Sequence, residues 1–142
     1  MQVSARNVFQ GIVSQVREGA VNAEVTLAVT GGTELVAVVT LDSVKSLDLA
    51  PGKPVVALVK APWVMVMTAA SGLRLSARNC LTGTVESVSD GAVNAEVCIA
   101  LPGGSRVVAM VTRDAVQELQ LAPGVAATAV FKASHVILGV PA

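Results

Sequence analysis

The segment Gly19-Ala20-Val21-Asn22-Ala23-Glu24-Val25 recurs, residue for residue, as Gly91-Ala92-Val93-Asn94-Ala95-Glu96-Val97. From Val21 onward apolar and polar side chains alternate with period two, the pattern of a strand with one buried face. The preceding Arg17-Glu18-Gly19 supplies a tight turn, in which Gly19 is expected to take a positive φ. Asn7 to Val16 then reads as the other arm of a hairpin.

When Gly19 is laid on Gly91 the rest of the chain follows without a gap, and about half of the paired positions are identical. Ser4-Ala5-Arg6-Asn7 returns as Ser76-Ala77-Arg78-Asn79, Val39-Thr40 as Val111-Thr112, and Leu49-Ala50-Pro51-Gly52 as Leu121-Ala122-Pro123-Gly124. Lys60-Ala61 returns as Lys132-Ala133. The chain is a tandem duplication, expected to form two domains over residues 1–68 and 73–142. The small residues Ala69-Ala70-Ser71-Gly72 between them suit a short flexible connection.

Within one unit, a second turn at Gly31-Gly32 leads into a β-branched run from Leu35 to Thr40. Leu41, Val44 and Leu47 then recur at three-residue spacing, with Thr40 or Asp42 to cap the start and Pro51-Gly52 beyond the end, which predicts a short helix. Pro54 to Lys60 and Pro62 to Thr68 read as two more strands, Pro62 marking a bend or an edge. The expected fold class is all-β: two tandem OB-type five-stranded small barrels, each with a short helix after the third strand.

The 142 residues are 53% hydrophobic, enough for a core, and ten basic side chains balance ten acidic ones. With no net charge, two Phe, one Trp and no Tyr, neither the basic groove nor the stacking platforms of a nucleic-acid binder are expected. Apolar runs such as Val55 to Val59 stop at Lys60, too short for a membrane partner, and the start of the chain lacks the pattern of an export signal, so a cytoplasmic location is expected. Cys80 and Cys98 form no disulfide or zinc pattern and read as small buried hydrophobes. Phe9 and Phe131 read as core. His135, the single histidine, has no spacing that marks a catalytic triad or metal site, so no enzyme is expected. Trp63 stands at the equivalent place in the first unit, which points to a planar side chain at an interface.

On an extended backbone Ser4 and Arg6 share a face. A hydroxyl beside a guanidinium fork suits a tetrahedral oxyanion, Asn7 adds an amide, and Lys60 offers a second cation. The competing reading is that these charges are solvated edge residues. Of Arg6, Arg17, Lys45, Lys53 and Lys60, however, only Arg6 and Lys60 keep a basic residue at the equivalent place, Arg78 and Lys132. Asn22 could also donate to an anion, whereas Glu24 on the same face would repel one, so Glu24 is expected to partner an Arg or Lys. A tight hairpin whose sequence is fixed by packing accounts for that segment equally well.

The Ser-Ala-Arg-Asn segments, the Gly19–Val25 hairpin, the Val-Thr before the helix, and Lys60-Ala61 followed by Val64 occur in the order that resembles the molbindin, or Mop-domain, family of molybdate-binding proteins. The similarity covers essentially the whole chain. The resemblance implies a homotrimer of two-domain chains, with molybdate as the bound ligand at subunit interfaces in two kinds of site and no direct protein–metal bonds. It assigns to the first kind the serine and arginine of one domain with the threonine and Lys-Ala segment of another, at the positions Ser4, Arg6, Thr40, Lys60 and Ala61 in the first unit and Ser76, Arg78, Thr112, Lys132 and Ala133 in the second; Asn7 and Asn79 join them as candidate donors. The second kind would lie around Gly19, Val21 and Asn22, with Gly91, Val93 and Asn94. One departure concerns Ser134-His135, where the first unit has Pro62-Trp63: proline lacks the donors that Ser134 could offer.

Molybdate is a dianion with four acceptor oxygens and no proton near neutral pH, so donors alone can satisfy it. Monohydrogen phosphate carries a proton that such a site would leave unpaired, at a cost of about 1–3 kcal/mol. Tungstate offers no comparable handle for discrimination. The expected function is storage or homeostasis of molybdate without chemical turnover; a structural oligomerisation module and an OB-type nucleic-acid binder are the alternatives.

Overall fold

β1 (Asn7–Glu18) and β2 (Asn22–Val29) form the hairpin that the Gly19–Val25 alternation calls for. The computed structural model describes residues 3–142, so Met1 and Gln2 of the expected first unit lie outside the described residues. Gly19 is not among the residues with positive φ; it is required instead by close approach, since a Cβ there would stand 3.0 Å from the Asn22 carbonyl oxygen, and one at Gly91 would stand 2.8 Å from that of Asn94. The positive φ angles belong to the next turn, at Gly31 and Gly32.

β3 (Glu34–Thr40) pairs with β2 and runs directly into α1 (Leu41–Ser46). Thr40 caps that helix: its hydroxyl oxygen accepts the Ser43 amide at 3.1 Å. β4 (Pro54–Val59) pairs with the first half of β1, residues 7–12. A register shift between Val13 and Gln15 marks where β1 bends, so that one long strand serves β4 at its start and β2 along the rest.

The expected strand from Pro62 to Thr68 is shorter than predicted. Ala61–Trp63 forms a 3-10 turn and only Met65–Met67, β5, is extended. Proline is compatible with the first positions of a helical turn and unable to donate to a ladder, but the second repeat makes the same turn at Ala133–His135 with Ser134 in place of proline. The connection between the repeats is also a 3-10 turn, Ala69–Ser71, closed by Gly72 at φ 64°.

The second repeat copies the first: β6 (Asn79–Asp90), β7 (Asn94–Ala100), β8 (Arg106–Thr112), α2 (Arg113–Glu118), β9 (Ala126–Phe131) and β10 (Ile137–Gly139). The two five-stranded sheets are not contiguous in sequence, however. One has the order β10-β4-β1-β2-β3 and the other β5-β9-β6-β7-β8. Each repeat keeps its first four strands and gives its last to the other, β5 lying antiparallel on β9 and β10 on β4. Each sheet curls until its two edge strands, β3 and β10 or β8 and β5, come near one another.

The seam between the repeats is closed by the two asparagines of the repeated Ser-Ala-Arg-Asn segment. Asn7 donates from Nδ2 to the Val108 carbonyl at 2.8 Å and accepts the Val108 amide on Oδ1 at 2.7 Å. Asn79 does the same to Val36, at 2.8 and 2.9 Å. Each side chain thus imitates one residue of a neighbouring strand and satisfies the open edge of β8 or β3. At 2% and 1% exposure both are buried, which removes them from the candidate oxyanion donors. Gly31 and Gly103 also meet at this seam: a Cβ on Gly103 would fall 1.9 Å from the Gly31 carbonyl oxygen.

Phe9 and Phe131 are core residues, as expected. The cysteines are not: Cys80 is exposed and Cys98 half-buried. Strand alternation explains it, because Cys80 follows buried Asn79 and Cys98 stands between buried Val97 and Ile99, so both thiols fall on outward faces.

Truncating Asn79 to Ala leaves the Val36 amide and carbonyl unpaired at a buried seam. We expect Asn79→Ala, and equally Asn7→Ala, to lower the unfolding free energy by about 1–3 kcal/mol, measured as a lower urea midpoint with an unchanged slope.

Candidate functional site

Because Asn79 is fixed as the first residue of β6, the three residues before it are held along the outside of the seam. Ser76 and Arg78 there meet the turn that follows β9. Together with Lys132, Ala133 and Ser134 they line a cleft of about 490 Å³, closed on one side by Met65 of the exchanged strand β5. Val38 of β3 also reaches it. The donors are hydroxyl, guanidinium and ammonium groups, and among the described residues no acidic side chain lines the cleft itself, the nearest being Glu24 on the Arg78 guanidinium. Ala133 is buried at 6% exposure, as is Ala61 at 1%; a larger side chain at either place would press into the core or the cleft.

A smaller cleft of about 180 Å³ occupies the equivalent place in the first repeat, lined by Ser4 and Lys60, with Ile137 of β10 where the other has Met65. Arg6 does not line it. The structure therefore brings together Ser76, Arg78, Lys132, Ala133 and Ser134, but only Ser4 and Lys60 of the corresponding first-repeat set.

Both arginines are held across the seam by the glutamates of the repeated hairpin. Arg6 Nη1 donates to Glu96 and Arg78 Nη1 to Glu24, each at 2.5 Å, and Glu24 also accepts from Arg17 at 3.2 Å. The expectation that Glu24 partners a basic residue is met, with the partner supplied by the opposite repeat. The guanidinium side chains stay 55% and 51% exposed. Such pairs contribute about 0.2–1 kcal/mol, so either arginine can exchange a singly charged carboxylate for a more highly charged ion.

Trp63 and His135 also meet at the seam, with ring centroids 5.1 Å apart and planes tilted by 34°. This is the planar contact that their equivalent positions pointed to. The Lys60 ammonium lies 5.6 Å from the centre of the Trp63 ring, within reach of a cation–π attraction.

Thr40 and Thr112 line neither cleft. Each caps a helix, Thr112 accepting the Ala115 amide at 3.1 Å, and each stands opposite an asparagine in the strand ladder, Thr40 against Asn22 and Thr112 against Asn94. These pairs share one end of each sheet with Gly19 and Val21, or with Gly91 and Val93. The valines at these turn tips are 71% and 72% exposed. The second candidate group is thus a separate surface, with threonine in it.

Sequence reasoning missed Met65, Ile137 and Val38, which reach the clefts only because strands are exchanged and the repeats face each other; hydrophobic pattern carries no such signal. It also passed over Glu86. The Arg106 guanidinium, 2.7 and 3.1 Å from that carboxylate, holds its pKa below the usual value, while burial, with Glu86 beside it, pushes the Cys98 thiol up. This cluster lies outside both clefts.

The pattern of the TOBE domain matches residues 3–66 and again 75–138. The chain is 48% identical over 141 residues to the molybdenum-pterin-binding protein MopA of Rhodobacter capsulatus and 50% identical over 140 residues to the molybdenum transport protein ModE of Azotobacter vinelandii. Those alignments cover 99% of this chain but 53% and 52% of the relatives, so the chain spans about half the length of the curated relatives it matches. Among solved structures, it is 64% identical to the cytoplasmic molybdate-binding protein ModG with molybdate bound, at a TM-score of 0.96, covering 99% of this chain and all of that one.

If the two arginines are not there for stability, removing them should cost little. Arg6→Ala and Arg78→Ala are expected to change the unfolding free energy by less than about 1 kcal/mol each in urea titrations, in contrast to the buried asparagines beside them.

Proposed function

The chain belongs to the TOBE-domain family as a tandem pair of such domains, and from that premise we propose that it binds molybdate and stores or buffers it in the cytoplasm without transforming it. The observation that carries this reading is the cleft in which Ser76, Arg78, Lys132 and Ser134 converge with no carboxylate in the lining, in a chain so similar to a protein whose structure holds molybdate. The side chains of the cleft offer guanidinium and ammonium groups that only donate and serine hydroxyls that both donate and accept, so four acceptor oxygens can all be met. The proton of monohydrogen phosphate has only those hydroxyls to turn to, and each one it occupies is withdrawn from the remaining oxygens.

The clefts on the seam are the first kind of site: Ser76, Arg78, Lys132, Ala133 and Ser134 in one, and Ser4 and Lys60 in the other, with Arg6 joining when it leaves Glu96. The second kind is made at the sheet ends, where Gly19, Val21, Asn22 and Thr40, or Gly91, Val93, Asn94 and Thr112, meet the same residues of other chains in a homotrimer. The exposed Val21 and Val93 support that assembly, since a turn tip that presents valine to water gains by being covered. Tungstate, equal in charge and close in shape, competes.

Incubation with molybdate followed by desalting should leave molybdenum on the protein by elemental analysis, raise its melting temperature, and coincide with a trimer mass in solution. The double variant Arg6→Ala/Arg78→Ala should bind at least about tenfold more weakly. Equal phosphate should not displace the ion. Retention of molybdenum by the double variant, or competition by phosphate, would contradict the proposal.

A further inference from the structure

The two seam clefts are built from equivalent positions, and beyond the smaller size of the first-repeat cleft and the absence of Arg6 from its lining, three differences act in the same direction. After Lys132-Ala133 comes exposed Ser134, which lines the larger cleft with a hydroxyl; after Lys60-Ala61 comes Pro62, with neither a hydroxyl nor an amide hydrogen. Lys60 has its ammonium over the Trp63 indole, whereas the residue equivalent to that indole beside Lys132 is His135, a smaller ring. Arg78 faces a glutamate whose charge is shared with Arg17. Arg6 faces Glu96, for which Ser89 stands where a second arginine would be. The second-repeat cleft therefore has one more donor, a freer ammonium and a less neutralised guanidinium.

We propose that the two clefts are inequivalent, that the second-repeat cleft takes the tetrahedral dianion first, and that Ser134 against Pro62 is the specificity-determining difference between them. This rests on the molybdate-binding reading above. Loading then proceeds in two steps per chain along the seam. The first fills the cleft of Ser76, Arg78, Lys132 and Ser134. The second fills the cleft of Ser4 and Lys60, which requires Arg6 to leave Glu96 and Lys60 to leave the indole. Trp63, the single tryptophan, carries the Lys60 ammonium over its ring and meets His135 across the seam, so its fluorescence changes more in the second step than in the first.

The test is a calorimetric titration of the full chain with sodium molybdate, followed in parallel by Trp63 fluorescence and by equilibrium dialysis with molybdenum analysis. The native chain should show two classes of seam site, with the larger part of the fluorescence change tracking the weaker. Ser134→Ala should weaken the tight class about tenfold and leave the weak class in place. Pro62→Ser should tighten the weak class, with Pro62→Ala, which restores only the amide, falling between. A weak class lost on Ser134→Ala, a fluorescence change complete within the tight class, or affinities that none of the three variants alters would overturn the inequivalence while leaving molybdate binding intact. No molybdenum retained by the native chain would overturn the binding reading and this inference with it.

Discussion

Everything on the seam depends on a pair of amide side chains acting as strands. Asn7 and Asn79 each give a hydrogen bond to, and take one from, a single residue of the other repeat's third strand, and both are buried with all four bonds near 2.8 Å. A buried edge strand with open amides and carbonyls is costly, and no substitution at either asparagine keeps both a donor and an acceptor at the same reach, glutamine carrying the same amide one methylene farther out. That constraint fixes the position of β1 and β6 against the opposite sheet. It therefore fixes where the preceding serine and arginine stand.

Exchange of the last strands makes the same seam covalent in its consequences. β5 completes the second sheet and β10 the first, so each cleft is formed by the serine segment and the lysine of one repeat, Ser76 and Lys132 or Ser4 and Lys60, and a wall from the other, Met65 or Ile137. The contacts are reciprocal: Arg6 with Glu96 and Arg78 with Glu24, Gly31 with Gly103, Trp63 with His135. This is the geometry of an isologous dimer interface carried within one chain. Duplication lets the halves diverge where a true dimer could not, and the replacement of Pro62 by Ser134 uses that freedom.

The hairpin, the third strand, the short helix and its threonine cap were all legible in the sequence, because each follows from local periodicity and turn chemistry. The strand exchange was not, since β5 and β10 look the same to a hydrophobic pattern whichever sheet they join. Asn7 was misread for a related reason: an amide beside Ser4 and Arg6 has the chemistry of an anion donor, and only burial by a distant segment reassigns it to the backbone of Val108. Glu24 was read correctly because the argument was electrostatic and needed no topology. Gly19 was placed in the right turn with the wrong cause, close approach having been mistaken for a need for positive φ. The cysteines failed because their type suggested burial while their register on β6 and β7 put them outside.

Amide hydrogen exchange with and without molybdate tests the central claim most directly, since it reads the seam segment by segment. Slower exchange is expected at 76–79 and 132–136 and, at higher molybdate, at 4–7 and 60–64, with the Gly31–Thr33 and Gly103–Ser105 turns unchanged. Binding of the ion without protection of any of these four segments would place it elsewhere on the molecule and contradict the account.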